Sequence, residues 1–299
     1  MGTAAGGGFP QWNCRCRSCQ IARADPRAAW PRTQSSVAIS SDGSHWFLLN
    51  ASPDVREQLG RLPAGDGAST AIRHVPIEGV VLTDAELDHS LGIVLLREAK
   101  YLPLYATAAI RSVLERDSRI LPVARAFADM PCTDMPLDAP LELVRRDGAS
   151  SGLSVEPFCV PADPPRFAST APVGHTVGLE IREIATGRTC LFLPGCGGLS
   201  PALLDRLARA DVLLFDGTFC NDDEPIRLSI STRTAREMDH LPISGPGGSL
   251  EQLAALTCRH RLYTHINNTN PVLIEGSPER AEVVRAGLTV GYDGLRMTV

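Results

Sequence analysis

The sequence predicts an α/β fold in which two mixed β-sheets pack face to face and helices cover their outer surfaces, an αββα sandwich. Three observations carry this expectation. Short apolar runs bounded by turn residues recur along the chain; in the first part they alternate with helical patterns; after Leu141 several runs of alternating apolar and polar residues follow one another directly. With 299 residues, 43% of them hydrophobic and 21% charged, the chain is long enough to enclose such a core as one domain over 1–299.

Residues 1–30 read as a Cys-rich loop, opening "MGTAAGGGFPQWNCRCRSCQ". The triplet Gly6, Gly7 and Gly8 is neither G-x-G-x-x-G nor a P-loop, and no helix signal follows, so it reads as a tight turn bringing backbone close to a site. Phe9 and Trp12 beside it either pack or stack on an aromatic substrate. "TQSSVAIS" and "HWFLLNA", separated by "SDGS", predict a hairpin over Thr33–Ala51. Ser52 as N-cap, Pro53 at the first helical position and Gly60 as a stop predict a short helix. "IEGVVLTDAELDHSLGIVLLREA" reads as a buried strand, a loop from Thr83, and an apolar helix ending near Ala99. "LPLYAT" is a strand before a helix around "AAIRSVLERD". "LELVRR", "LSVEPFCV", "TVGLEIREI" and "RTCLFLPG" predict antiparallel strands of a second sheet. Three helices, "SPALLDRLARA", "GSLEQLAALTCR" and "SPERAEVVRAG", precede the strands "DVLLFDGT", "RLYTHINNT" and "LTVGYDGLRMTV". Residues 221–248 lack clear periodicity, and so long a loop in a compact domain is usually functional.

Composition narrows the classes of function. Acidic residues number 34 against 29 basic ones, a net charge of -5, and no basic run is dense enough for a nucleic-acid surface. The chain shows no signal-like n-region and h-region and no apolar stretch long enough to span a membrane, so the expected location is cytoplasmic. In a reducing compartment Cys132, Cys159, Cys190, Cys196, Cys220 and Cys258, scattered singly among apolar residues, read as small core residues.

The chemistry collects where buried strands end. Asp88 and His89 follow "VVLT", Asp216 follows "VLLF", and His265 follows "RLYT". An apolar strand that stops at Asp or His projects a polar group at the rim of a sheet, where ligand sites form. Two imidazoles with one or two carboxylates match the donor set of mononuclear non-haem iron(II) oxygenases, and zinc fits the same ligands. Cys14, Cys16 and Cys19 are too close for an unstrained disulfide ladder and suit three corners of a tetrahedral zinc site, with a C-x-x-C redox pair as the alternative. His45, His74 and His260 lack such context and read as surface residues.

The loop "VVLTDAELDH" resembles the metal loop T-H-x-H-x-D-H of the metallo-β-lactamase superfamily, with Asp84 and Glu86 in place of its first two histidines. "LFDGTF" is similar to the stretch holding that superfamily's bridging aspartate, and "THINNTN" to the stretch holding its final histidine. Together with "GTAAGGGFPQWNCRC", "RTQSS", "LLNASPD" and "DHLPISG", these phrases resemble a family of coenzyme PQQ synthesis proteins within the superfamily. The resemblance implies a metallo-β-lactamase-like αββα sandwich. It also implies a short apolar strand ahead of the glycine segment; this sequence starts almost inside that segment, so either the strand is lacking or the start has been trimmed, and losing a sheet strand would expose a neighbouring edge and weaken the core.

With Asp84 and Glu86 at those positions, a dinuclear zinc site loses its nitrogen donors, which disfavours a metal-dependent hydrolase. Asp88, His89, Asp216 and His265 remain as active-site ligands, with His175 near the place of another superfamily ligand. Related members close a cysteine zinc site with a donor three residues after the final histidine, here Asn268, whose amide oxygen is a poor zinc ligand. The resemblance implies a role in the biosynthesis of pyrroloquinoline quinone: iron(II)-dependent hydroxylation, with O2, of the tyrosine ring in a cross-linked Glu-Tyr precursor. Asp84, Glu86 and His240 would orient the amino-acid groups of that substrate, and other proteins of the pathway would be partners. The alternative is a carrier that helps the cofactor or its precursor toward the periplasm.

Overall fold

The computed structural model describes residues 2–62, 72 and 74–299. In chain order its strands are β1 (Val37–Ile39), β2 (Trp46–Leu49), β3 (Ile77–Val81), β4 (Leu104–Ala106), β5 (Cys132–Asp134), β6 (Leu141–Val144), β7 (Ser150–Cys159), β8 (Val177–Glu183), β9 (Thr189–Leu193), β10 (Val212–Asp216), β11 (His260–Thr264) and β12 (Thr289–Val290). Its helices are α1 (Arg17–Ala24), α2 (Val55–Leu59), α3 (Leu87–Ser90), α4 (Gly92–Leu95), α5 (Ala108–Arg116), α6 (Ile120–Arg125), α7 (Pro201–Ala208), α8 (Glu224–Arg227), α9 (Ser249–Ala254) and α10 (Pro278–Arg285). The chain divides into two units, one of residues 36–159 and 163–188, the other of residues 2–35, 160–162 and 189–299.

In the first unit the hairpin predicted from "SDGS" is present. Asp42 Oδ1 accepts from the backbone N–H of Ser44 at 2.8 Å and His45 at 2.9 Å, which turns the chain between β1 and β2. β3, β4 and β5 then add in parallel, giving a mixed sheet of order β1-β2-β3-β4-β5. Phe47, Leu48, Leu49, Val80 and Val81 are fully buried, as near-continuous apolar strands of a covered sheet require. β6, β7 and β8 pair antiparallel, and β7 alternates buried and half-exposed residues from Ser151 to Pro157.

Three local expectations change. α2 starts at Val55 rather than Pro53, because Ser52 turns its hydroxyl to Gln58 at 3.0 Å and accepts from Asp54 N–H instead of capping the helix. The apolar helix expected to reach Ala99 is two short turns, α3 and α4: His89 C=O accepts from Ala51 N–H and Gly92 N–H donates to Ala51 C=O, so the helical ladder is diverted to residue 51. Cys159 is exposed at the end of β7, and Cys132 and Cys190 are half-buried; only Cys196, Cys220 and Cys258 of the six are buried as expected.

The second unit carries β9, β10, β11 and β12, all parallel to their neighbours within it. Ser200 caps α7 with Pro201 behind it, and Ser277 caps α10 with Pro278 behind it, as the S-P pairs indicate. The final strand is shorter than "LTVGYDGLRMTV" suggests. After Val290 the chain turns so that Asp293 accepts from backbone and hydroxyl of both Thr3 and Thr33, at 2.6–3.1 Å. Gly7 and Gly8 have φ of +92° and +69°, the tight turn expected of the triplet.

Gly92 sits against the strand-end backbone: a Cβ there would lie 2.2 Å from Ser52 O and 2.5 Å from Ala51 O. Gly92→Ala is therefore expected to destabilise the protein by about 1–3 kcal/mol, read as a lower urea midpoint at unchanged slope.

Candidate metal centre

In the first unit the site is built on the loop after β3. Asn50, buried with φ +59°, accepts from Thr83 N–H at 3.0 Å and donates to Thr83 Oγ1 at 2.8 Å. Thr83 Oγ1 in turn donates to Asp84 Oδ2 at 2.7 Å, while Asp84 Oδ1 accepts from Glu86 N–H at 2.9 Å. Both Asp84 oxygens lie 2.8 Å from His89 Nδ1. An ionised carboxylate can only accept, so His89 carries its proton on Nδ1 and offers Nε2 as the ligand atom. His89 Nε2 and Asp88 Oδ2 are 3.9 Å apart, within the sum of a metal–nitrogen and a metal–oxygen bond, about 4.2 Å.

Asp84 is thus placed behind His89 rather than toward a substrate, and the expectation that it orients substrate gives way to one in which it holds the imidazole. Burial pushes the Asp84 carboxyl up, yet His89, by charge and by hydrogen bond, together with Thr83, holds it below the usual carboxylate range. Glu86 moves the other way. Burial, then the charges of Asp84 and Asp88, push it to about 7. His175 is half-buried before β8, its Nδ1 3.1 Å from Thr176 Oγ1, and among the described residues it joins no group of candidate ligands.

In the second unit β10 delivers Asp216, fully buried, and β11 delivers His265. Asp216 Oδ2 accepts from His240 Nδ1 at 2.7 Å and Cys196 N–H at 3.2 Å; Oδ1 accepts from Thr218 Oγ1 at 2.6 Å and Thr218 N–H at 3.0 Å. Burial raises its pKa, but the two imidazoles outweigh burial and hold it well below the usual carboxylate range. His240 stacks on His265, ring centres 5.6 Å apart, with Phe219 edge-on to it at 6.0 Å. Asp216, His240 and His265 each bring one ligand atom within 4.8 Å of the others. Four donors occupy the two oxygens of Asp216, so ligation through Asp216 exchanges one of them for the ion.

His265 adopts φ +54°, a left-handed conformation that a residue with a Cβ occupies at some cost. The following residues hold it there. Asn267 N–H donates to Thr218 C=O at 3.0 Å, Asn270 Nδ2 donates to Gly217 C=O at 2.9 Å, and Thr269 Oγ1 donates to the buried Glu224 at 2.6 Å. Gly217 has no room for a side chain: a Cβ there would meet Tyr263 Cβ at 2.9 Å.

The same loop reaches the cysteines. The three sulfurs of Cys14, Cys16 and Cys19 lie within 4.8 Å of one another, and Cys16 caps α1, its Sγ accepting from Cys19 N–H at 3.5 Å. Asn268 Nδ2 donates to Cys19 Sγ at 3.3 Å, so the residue expected as a weak fourth ligand sits at the cluster as a donor to sulfur. The hydrogen bond from Cys16, and after it that from Asn268, hold the Cys19 thiol near about 5 against the effect of burial, while Cys16 is raised by the same shared proton. Three converging sulfurs with one already inclined to thiolate fit a zinc ion. Phe9 is buried and packs, whereas Trp12 is 86% exposed.

Sequence reasoning missed Asn50, Thr218 and Glu224. Each is a hydrogen-bonding side chain that touches a candidate ligand or its loop, and only the D-G-T spacing hinted at one of them.

Two parallel-strand ends carrying carboxylate and imidazole, with a Cys cluster beside the last of them, define a metal-binding protein of the metallo-β-lactamase fold. A family model described as a β-lactamase superfamily domain matches residues 45–266. The chain is 43% identical to a coenzyme PQQ synthesis protein B of Methylobacterium radiotolerans, covering 100% of this chain and 98% of that protein. It is 40% identical to one of Gluconacetobacter diazotrophicus over the same shares. The crystal structure of Zn(2+)-bound PqqB from Methylobacterium extorquens superposes with TM-score 0.88 at 40% identity, covering 100% of this chain and 98% of that one. A diphosphatase of the PhnP family shares the fold, with TM-score 0.66 at 21% identity over 98% and 93% of the two chains. The chain belongs to the coenzyme PQQ synthesis protein B family. Among the described residues no helix is long and apolar enough to cross a membrane.

Two outcomes follow from this geometry. Glu86 keeps its proton up to about 7 in the fold but loses it near 4.5 when unfolded, so the native state binds more protons between these values. In metal-stripped protein this contribution to stability is expected to fall as pH rises through that window, and Glu86→Gln to remove the fall, compared by urea midpoints at about pH 5 and about pH 7.5. Cys16→Ser is expected to lower both the melting temperature and the zinc retained through gel filtration; a variant as stable and as zinc-rich as the parent would count against a zinc staple.

Proposed function

We propose that the chain acts in pyrroloquinoline quinone biosynthesis as a non-haem iron(II)-dependent hydroxylase of the tyrosine ring in a cross-linked Glu-Tyr precursor, consuming O2. Membership of the coenzyme PQQ synthesis protein B family supports the pathway, and the reading places the protein in the cytoplasm alongside other proteins of that pathway. The observation that carries the chemistry is the donor set. The loop after β3 offers nitrogen only from His89, because Asp84 and Glu86 stand where two further imidazoles would hold a second ion.

In this reading Asp88, His89, Asp216 and His265 are the active-site metal ligands, and Cys14, Cys16 and Cys19 hold a structural zinc. Iron(II) supplies, when bound, a place to activate oxygen; zinc fits the same donors, and the Methylobacterium extorquens relative was crystallised with it. The chain's own part is to fix those donors and handle protons. Asp84 holds the Nδ1 proton of His89, which turns Nε2 away from Asp84. His240, less than a quarter exposed and bonded through Nδ1 to Asp216, is set to receive or return a proton at Nε2. Glu86, raised by burial and by its neighbouring carboxylates when no ion is bound, is the further proton-bearing group beside these ligands.

The test is protein reconstituted with iron(II) in the absence of air, then given O2 and the cross-linked Glu-Tyr compound. Ring hydroxylation is expected, with Asp88→Ala and His265→Ala losing more than the about 10–100-fold that an outer partner of a ligand costs. Tight binding with no turnover under any added metal would instead mark a carrier. Two ions bound in addition to the cysteine zinc would mark a hydrolase.

A further inference from the structure

The Thr218 hydroxyl touches two of the candidate ligands of the second unit. It lies 2.6 Å from Asp216 Oδ1, 2.8 Å from His265 Nδ1 and 2.9 Å from the His265 carbonyl oxygen. A hydroxyl has one hydrogen and accepts through its lone pairs. The Asp216 carboxylate already accepts from the fixed backbone N–H groups of Cys196 and Thr218, so the short contact to Oδ1 uses the Thr218 hydrogen, with the His265 carbonyl in a position to share it. The remaining contact then requires the ring of His265 to donate. Its proton sits on Nδ1, and Nε2 is left with its lone pair.

This chain of donors does more than select a tautomer. Thr218 is 3% exposed, its own N–H is anchored on Asp216, and its carbonyl accepts from Asn267, two residues beyond His265. The hydroxyl also approaches the backbone of His265 itself, at the residue whose φ of +54° departs from the strand. The ring of the histidine is therefore held by a side chain whose own hydrogen is directed at Asp216.

We propose that Thr218 is a positioning residue for metal binding: its hydroxyl, oriented by Asp216, fixes His265 in the Nδ1–H tautomer and aims Nε2 as the ligand atom. This rests on the reading that His265 is a metal ligand. The role parallels that of Asp84 for His89 in the first unit, a neutral hydroxyl relayed to a carboxylate standing in for a direct carboxylate contact.

The experiment uses the full chain in three forms: parent, Thr218→Val, which keeps the shape but removes the hydroxyl, and Thr218→Ser, which restores it. Long-range 1H–15N correlation of the histidine rings in zinc-stripped protein reads the tautomer, with His265→Ala assigning the signal. Competition with a chromogenic chelator reads zinc(II) affinity at the ion added after the cysteine cluster is filled. The parent is expected to show His265 protonated at Nδ1, Thr218→Val to show the Nε2–H form or a mixture and an about 10–100-fold loss of zinc affinity, and Thr218→Ser to restore both. A parent ring protonated at Nε2 overturns the proposal, as does Thr218→Val with parental tautomer and affinity; the parent spectrum decides even where Thr218→Val does not fold. An ion whose affinity is the same in the parent and in His265→Ala would overturn the underlying assignment of His265 instead, and would leave the tautomer result standing.

Discussion

A buried carboxylate must be ringed by donors, and two such carboxylates organise the chemistry of this protein. Asp216, fully buried, takes four hydrogen bonds from His240, Thr218 and Cys196. Asp84, 4% exposed, takes its bonds from Thr83, Glu86 and His89. Leaving either charge unpaired would cost about 3–5 kcal/mol, so the surrounding loops can close only in the arrangement that presents these donors. An imidazole that spends its Nδ1 proton in this way has one nitrogen left. The same electrostatic requirement that stabilises the loop therefore points His89 Nε2 away from Asp84.

The loops are shaped to meet that requirement. Asn50 takes a left-handed conformation to bond Thr83, Gly217 leaves no space for a Cβ, and the diverted helix at His89 spends its backbone on Ala51. In the second unit the four residues Asn267, Asn268, Thr269 and Asn270 divide the work. The first and last bind the Gly217–Thr218 backbone, Thr269 binds Glu224, and Asn268 faces Cys16 and Cys19. A segment of four short polar side chains thus joins the last candidate ligand to the cysteine cluster, so that an ion held by the cysteines would steady the loop of His265.

Much of this was legible beforehand. Apolar runs marked most of the strands because burial on both faces demands them, S-P pairs marked the starts of α7 and α10, and the cysteine spacing marked the cluster. The short elements α1, α6 and β5 escaped, since a run of three to eight residues with mixed polarity carries no periodic signal. The stretch through Ala99 is helical in composition but forms two short turns, α3 and α4. It breaks because backbone groups find partners outside the helix, which no local pattern records.

From the residues alone follow the fold class, the buried strands that lead to Asp88 and His89, Asp216 and His265, and the three thiols, which depend on residue type and spacing; the resemblance to the metallo-β-lactamase loop adds that Asp84 and Glu86 stand in place of imidazoles. Which carboxylate meets which ring is decided only on folding. Asp216 and His240 are 24 residues apart and Thr218 and His265 are 47 apart. A hydrogen bond is set by angle and by distances near 2.8 Å, and nothing in the order of the chain encodes such a meeting until the sheet has brought the strand ends together.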